Sequence, residues 1–560
     1  MMTSTTKDND TTQLRTLQEA LSALDDVPSL TPTQKRDGAS AIRAIGRILN
    51  QPLDSIPAEL ALLRYRLNEA HYVRTGISRK RWQNIRSCLV STLRILKNTG
   101  YRVNYYLPLR PAWKQCYDCL DTKRRRNGLS SFIHYCNDHN IAPSSVDDET
   151  VDDFVRYLET HTMRSKPRQV HRVTCRLWNE ASERYPAWPD QQLTVPSYKK
   201  PKKTIDWDSF PLSFRNEVQR HLDWLGGKDL LADHQPPRIC KSSTLSLREK
   251  HIHLLASAGV HGGVTIEQID SLRALVDQDT VRAAVNWYFE ENQHQATVYQ
   301  KDLVVTLYAI AKHWVCSKGD HLEWMKHLIS RLCPKQGGLT DKNRTALRQF
   351  DEPAQIMRLL QLPEQLVTKA DKLPSPKRQA VAVQIALAIE LLLKAPMRIN
   401  NLVSLELGKQ VIMSHKQDGP VTITLCEHEV KNEFAQEYPL SEETSALLHH
   451  YLSVHRSHLL KHPDSTWLFP GEKGSHKQTR TMALQISRTI SRELGLKITP
   501  HQFRHLAAKL QLDTHPGSYE TVRRLLGHKS LKTTTHFYTG LETRQAVKHY
   551  DQLLNSIRKG

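Results

Sequence analysis

A chain of 560 residues with 79 Lys and Arg against 58 Asp and Glu carries a formal charge of +21 and a pI near 9.5, so its field draws in polyanions. Nucleic acid leads that class of partner, with an anionic membrane surface behind it. Hydrophobic residues at 39% are enough for real cores, and the length suggests roughly three or four domains of about 100 to 200 residues.

The first residues, "MMTSTTKDNDTTQ", are polar, lack the apolar centre of a signal peptide and read as a frayed tail. They open an N-terminal helical region, 1–110, in which residues 58–100 predict two helices ending at Gly100. A helical module follows over 111–187. Within it, Cys116 and Cys119 followed by His134 and His139 approach the spacing of a C2H2 finger. The intervening "LDTKRRRNGLSSFI" is about two residues longer than the usual spacer, and the histidines sit in an ordinary amphipathic pattern, so no metal is expected. That spacer also carries Arg124, Arg125 and Arg126, which are candidate DNA contacts. Nine scattered cysteines, an odd count, fit reduced thiols in a cytosol.

A Pro-rich, basic stretch over 188–211 reads either as a solvated hinge or as a strap on DNA, with Lys199, Lys200, Lys202 and Lys203 as its contacts. The next helical module spans 212–340. It echoes the one before it, since "ETVDDFVRY" (149–157) and "DTVRAAVNW" (279–287) share acid-Thr-Val, then Val and an aromatic at equal offsets. Either a duplication or chance produces so short a match.

From 370 to 560 the pattern turns to mixed α and β. The run "AVAVQIALAIELLL" (380–393) contains Gln384 and Glu390 and stops at "KAPM", which marks a buried helix over 378–394 and not a membrane span. A second helix begins at Arg398. Alternating segments at 420–430 and 434–440, joined at Lys431 to Glu433, predict a β-hairpin, and helices return from 441. The stretch "TPHQFRHLAAKL" (499–510) opens one of them, with Thr499 as cap, Pro500 in the first turn and Gln502 completing a capping box. His501 and Arg504, three residues apart, then share a face beside a positive helix end and await an anion. The fold class expected is mainly α and multidomain, with helical DNA-binding modules before an α+β C-terminal domain holding a small antiparallel sheet.

Arg398 in "APMRINNLVSL", Lys431 in "VKNEFAQEYPL", His501 and Arg504 in "TPHQFRH", His528 in "LLGHKS" and Tyr538 in "TTTHFYTG" stand in one order and spacing. In this the chain resembles the catalytic domain of the tyrosine recombinases, also called phage integrases, over roughly residues 375–550. It departs from them at Asn401, where an acidic residue is common, and in a step from His528 to Tyr538 that looks one residue longer. The resemblance implies a site-specific recombinase that cuts and rejoins DNA through a covalent 3′-phosphotyrosine in integration, excision or transposition of a mobile element. It also implies core-binding-like helical modules that clamp double-stranded DNA, a homotetramer on two DNA sites and a bacterial cytoplasmic, nucleoid-associated protein with no membrane partner. The rivals are a type IB topoisomerase-like enzyme and a DNA-binding protein without catalysis.

The chemistry makes the same demand. A phosphodiester attacked in line gathers charge on its non-bridging oxygens, which the planar forks of Arg398 and Arg504 match, each worth about 3 to 4 kcal/mol by analogy with a preorganised oxyanion donor. Tyr538 supplies the attacking oxygen, His501 takes its proton, Lys431 protonates the departing sugar oxygen and His528 bonds a phosphate oxygen. No carboxylate cluster suggests a two-metal site here, so no cofactor is expected.

Overall fold

The computed structural model describes residues 14–28, 30–70, 72–96, 107–198, 203–228, 235–332, 338–414, 419–430, 434–541 and 543–559. These divide into two compact units, one built from the chain up to Ser197 together with the chain from Gly338, the other from the segment that starts at Tyr198.

The first unit holds three cores. The N-terminal one runs from Leu17 to Leu93 and includes Met163. Its helices follow their local signals: Pro32–Leu49 starts at a Thr31 and Gln34 capping box with Pro in the first turn, and ends at Asn50 with φ 51°. The two helices expected over 58–100 form as Leu60–Glu69 and Arg79–Leu96, while Gly100 lies outside the described residues. Three arginines of this region close the C-terminal end of helix Asp148–His161. Arg64 donates to the Glu159 carbonyl at 2.9 Å, Arg86 to Met163 O and Arg94 to His161 O. A helix end leaves such carbonyls without partners and gathers negative partial charge, which guanidinium donors satisfy on both counts.

The second core, from Trp113 to Leu193, continues past the expected boundary at 187 because Trp188 and Leu193 are buried in it. Trp178 Nε1 donates to Gln191 O, and the Asn179 side chain bonds both Leu193 N and Leu193 O, each at 2.8 Å. At the other end of the expected linker Phe210 is buried in the core of the second unit. The linker over 188–211 is therefore shorter than its composition suggests.

That second unit packs helices between Leu212 and Arg331. The echoing stretches occupy equivalent helices. Asp148–His161 and Gln278–Glu291 are both capped by an aspartate, Asp147 or Asp277, and both bury the matched valine, Val151 or Val281.

The third core of the first unit opens at Leu339, ahead of residue 370, because helices Asp341–Arg348, Pro353–Leu360 and Leu362–Ala370 pack into it. Its axis is helix Pro376–Lys394, buried on most of its faces. The two polar residues of the run 380–393 are paired: Gln384 donates to the Tyr451 hydroxyl at 3.0 Å, and Glu390 accepts from Thr444 at 3.0 Å. No helix among the described residues is long and apolar enough to cross a membrane.

The sheet has three antiparallel strands in the order β1 (Val411–Met413), β2 (Val421–Leu425) and β3 (Gln436–Pro439), with Ile423 opposite Val411 on one side and Tyr438 on the other. Strand β1 was not expected. The strand predicted to reach 430 stops at Leu425, because Glu429 reaches back to accept the Cys426 N–H at 3.1 Å and turns Glu427–Glu429 into a 3-10 helix. The predicted hairpin turn, Lys431 to Glu433, lies outside the described residues.

Candidate active site

Arg504 is 3% exposed on helix Pro500–Thr514 and donates to Pro396 O at 2.7 Å and to Leu526 O at 2.5 Å. One guanidinium thus ties the start of the Arg398 turn to the loop that carries His528. Arg398 is the N-cap residue of helix Ile399–Val403, half-buried, and its guanidinium makes no hydrogen bond or ion pair to another described residue. Burial and the neighbouring Arg398 bring Arg504 down to about 10, and burial lowers Arg398 as well. Both stay charged at neutral pH. Two cations held side by side, one with its fork unused, form a site for a dianionic or bidentate oxyanion. Asn401 adds no negative charge beside Arg398; its buried Nδ2 has no partner among the described residues.

Tyr538 ends helix Leu531–Tyr538 and is 2% exposed, its phenol pushed up to about 12 by burial while Arg504 opposes the rise. The His528 ring lies parallel to it, 6.3 Å between centroids, and His528 Nδ1 meets the Thr534 hydroxyl at 2.9 Å. The loop before His528 depends on Gly527, which leaves helix Tyr519–Leu526 with φ 59°. A Cβ there would come within 2.5 Å of the Gln436 amide. The alternation of β3 turns Gln436 and Tyr438 inward; Gln436 donates to the Tyr438 hydroxyl, which donates to Leu525 O at 3.1 Å and so braces this loop from the sheet side.

His501 is the exposed residue in the first turn of its helix, next to the buried Gln502, whose side chain accepts the Thr499 N–H at 2.8 Å. Burial of its ring atoms, then Arg504 and Arg398, lower its pKa, leaving the imidazole neutral and able to accept a proton. The residue that touches the Tyr538 hydroxyl, however, is His505, with Nδ1 at 2.9 Å. It has no role in the sequence reading, although its place four residues after His501 puts both on one helix face, edge to face at 5.1 Å.

The structure brings together Arg398, His501, Arg504, His528 and Tyr538. Lys431 lies outside the described residues, as do Lys416, Lys199, Lys200 and Lys202. Lys409 pairs with Glu429 at 3.6 Å. Lys203 is taken by Glu291 at 2.6 Å and sits over the Trp287 ring. Arg124 pairs with Glu180 at 3.3 Å, Arg125 with Asp121 at 2.8 Å, and Arg126 donates to Leu120 O at 2.6 Å. Cys116 and Cys119 direct their thiols to the carbonyls of Ala187 and Cys116, and His139 Nδ1 meets Tyr135 O at 2.7 Å. Among the described residues no group of three or more His, Cys, Asp or Glu is arranged to hold a metal.

Burial, more than the surrounding cations, brings His505 and His528 down to about 4. Because the folded values are depressed, the unfolded chain takes up these protons first. The stability is present in full above the ordinary histidine value of about 6.5 and drains away as pH falls toward 4, by about 2 kcal/mol for one such imidazole at pH 5. Thermal melts should therefore show a lower Tm at pH 5 than at pH 7, and an unchanged Tm would contradict the buried neutral state.

Residues 353–544 match the phage integrase family. Tyrosine recombinase XerC of Pseudomonas fluorescens is 28% identical over 163 residues, 29% of this chain and 50% of the relative. XerC of Azotobacter vinelandii is 27% identical over 164 residues, again 29% and 50%. This chain thus spans about half the length of the curated relatives it matches. The solved XerH site-specific recombinase bound to difH substrate aligns with 58% of this chain and 95% of its own at 18% identity and a TM-score of 0.35, a likeness too loose to bear on the fold. The family match falls on the segment that holds Arg398, His501, Arg504, His528 and Tyr538, and residues 353–544 form a domain of the phage integrase, or tyrosine recombinase, family.

Proposed function

We propose that the protein is a site-specific DNA recombinase that works through a covalent 3′-phosphotyrosine at Tyr538 and serves integration, excision or transposition of a mobile element. The observation that carries this reading is the convergence of Arg504 and His528 on one buried tyrosine, with Arg398 and His501 beside Arg504. In the forward step the Tyr538 oxygen bonds to phosphorus and the bond from phosphorus to the 5′ oxygen breaks. The phenolic proton passes to His501, Lys431 gives a proton to the departing 5′ oxygen, and the two arginines hold the charge on the non-bridging oxygens. Attack by a 5′ hydroxyl of another strand reverses the step and restores Tyr538, so no external energy source is needed.

The net charge favours double-stranded DNA as the partner. Helix Thr543–Lys559 exposes Val547, Tyr550, Leu553 and Ile557 at helical spacing, a stripe suited to a neighbouring protomer in a tetramer on two sites. Strand exchange separates this reading from a topoisomerase. Mixing two marked duplexes, each recovered as a cleaved sequence, should yield recombinant products. Relaxation of supercoils with no joining between duplexes would favour the nicking-closing enzyme, and no cleavage at all a DNA-binding protein.

The role of Lys431 has its own test. Lys431→Ala should cripple cleavage of ordinary DNA, since an alkoxide leaves poorly without a proton. Sulfur at the bridging 5′ position should largely restore it, because a thiol ionises near pKa roughly 8.5 and departs as thiolate. Rescue of Lys409→Ala or Lys416→Ala in its place would move the general acid to that lysine.

A further inference from the structure

The hydrogen bonds behind Tyr538 decide which nitrogen of His505 carries its proton. The hydrogen-bond chain starts at the Thr499 N–H, a group that can only donate. It bonds Gln502 Oε1 at 2.8 Å, and the Thr499 hydroxyl meets the same oxygen at 3.1 Å. The Gln502 amide is thereby oriented, so its Nε2 is the group that donates to Asn343 Oδ1, 3.2 Å away. Asn343 is oriented in turn and presents its Nδ2 to His505 Nε2 at 3.3 Å. Facing a donor, Nε2 has to accept, and the ring proton belongs on Nδ1, which points at the Tyr538 oxygen from 2.9 Å. The opposite tautomer would set two donors against each other at Asn343.

We propose that Asn343 is a positioning residue that fixes His505 as the Nδ1–H tautomer, so that His505 is a hydrogen-bond donor to the Tyr538 oxygen throughout the reaction and not its base. The assignment rests on the recombinase reading of the same site and deepens it. A donor at this atom stabilises charge on the phenolic oxygen as its proton leaves toward His501, and again when that oxygen is the leaving group on rejoining; no proton moves through His505. The surroundings agree, because His505 is 7% exposed and is faced by His501, Arg504 and His528, all of which disfavour an imidazolium. Asn343 lies on helix Asp341–Arg348, ahead of the segment that matches the family at 353–544. The chain just past that helix is tied to helix Pro500–Thr514 and to the segment leading into it: Asp351 takes Lys509 at 2.9 Å, and the Gln349 amide spans Lys497 N and O at 2.9 and 3.0 Å.

Asn343→Asp tests this with little change of shape. The carboxylate still accepts from Gln502 but now also accepts from His505 Nε2, which moves the ring proton there and turns Nδ1 into an acceptor. In full-length protein with 15N-labelled histidine at pH 8, the signal missing from His505→Gln should be protonated on Nδ1 in the wild type and on Nε2 in Asn343→Asp. Adducts formed on a random-sequence duplex library should fall by about tenfold or more in Asn343→Asp, with thermal melts confirming the fold. Nε2 protonation in the wild type, or an unmoved proton in Asn343→Asp, overturns the tautomer. A moved proton with undiminished adduct overturns the donor role. Wild-type protein that shows the stated tautomer and forms no adduct overturns the recombinase reading and leaves the tautomer standing.

Discussion

Tyr538→Phe should bind DNA as the wild type does and form no covalent protein-DNA adduct. The substitution removes one oxygen from a ring that is 2% exposed and leaves the ring's packing against His528 intact. The two residues before it in the chain, His536 and Phe537, cannot take the nucleophile's role, and Tyr550 is 60% exposed on helix Thr543–Lys559. The change also leaves His505 Nδ1 facing a ring edge where it bonded a hydroxyl, and an unsatisfied buried donor costs about 1–3 kcal/mol. A modest fall in Tm together with complete loss of adduct is therefore the expected pair of results. An adduct that persists would shift the search to Tyr550.

Arg504→Ala should be the most damaging single change after that, because the residue serves the fold and the chemistry together. It is 3% exposed and its two hydrogen bonds hold Pro396 O and Leu526 O, so its loss strands two buried carbonyls and removes the tie between the Arg398 turn and the His528 loop. A stability loss of about 2–4 kcal/mol follows from those unmade bonds. Cleavage should slow by about a hundredfold or more from the lost charge and fork at the phosphate. Arg504→Lys separates the two effects: the lysine keeps a positive charge but cannot hold both carbonyls with a rigid fork, and cleavage should remain far below wild type. Equal cleavage rates in wild type and Arg504→Ala, read as adduct formed per unit time, would take Arg504 out of the site.

The parts of the site that were legible in the sequence are those whose signal is local. Thr499, Pro500 and Gln502 announce a helix start, which fixes where His501 and Arg504 face, and Gly527 announces a helix end, which fixes the loop of His528. Strand β1 escaped because three residues are too few for alternation to register, and its place is set by pairing with β2. His505 escaped because a histidine in a helix with no distant partner in view reads as packing. Its meaning comes from Tyr538 and Asn343, which lie 33 and 162 residues away in the chain. The basic run at Arg124 to Arg126 carries partners the charge count does not show: Arg125 pairs with Asp121 four residues before it, and Arg124 with Glu180, 56 residues away. Charge composition measures how many cations there are; only tertiary structure tells which are already neutralised.

Covalent joining of Tyr538 to a DNA 3′ phosphate is read directly by trapping protein on nicked duplex from a random-sequence library, digesting both partners and sequencing the peptide that retains nucleotide. The expected result is a single modified peptide, "TTTHFYTG", with the nucleotide on Tyr538 through a 3′ phosphate and a free 5′ hydroxyl on the other fragment. A nucleotide on Tyr550, Tyr438 or a serine, or cleavage that leaves the protein unmodified, would contradict it.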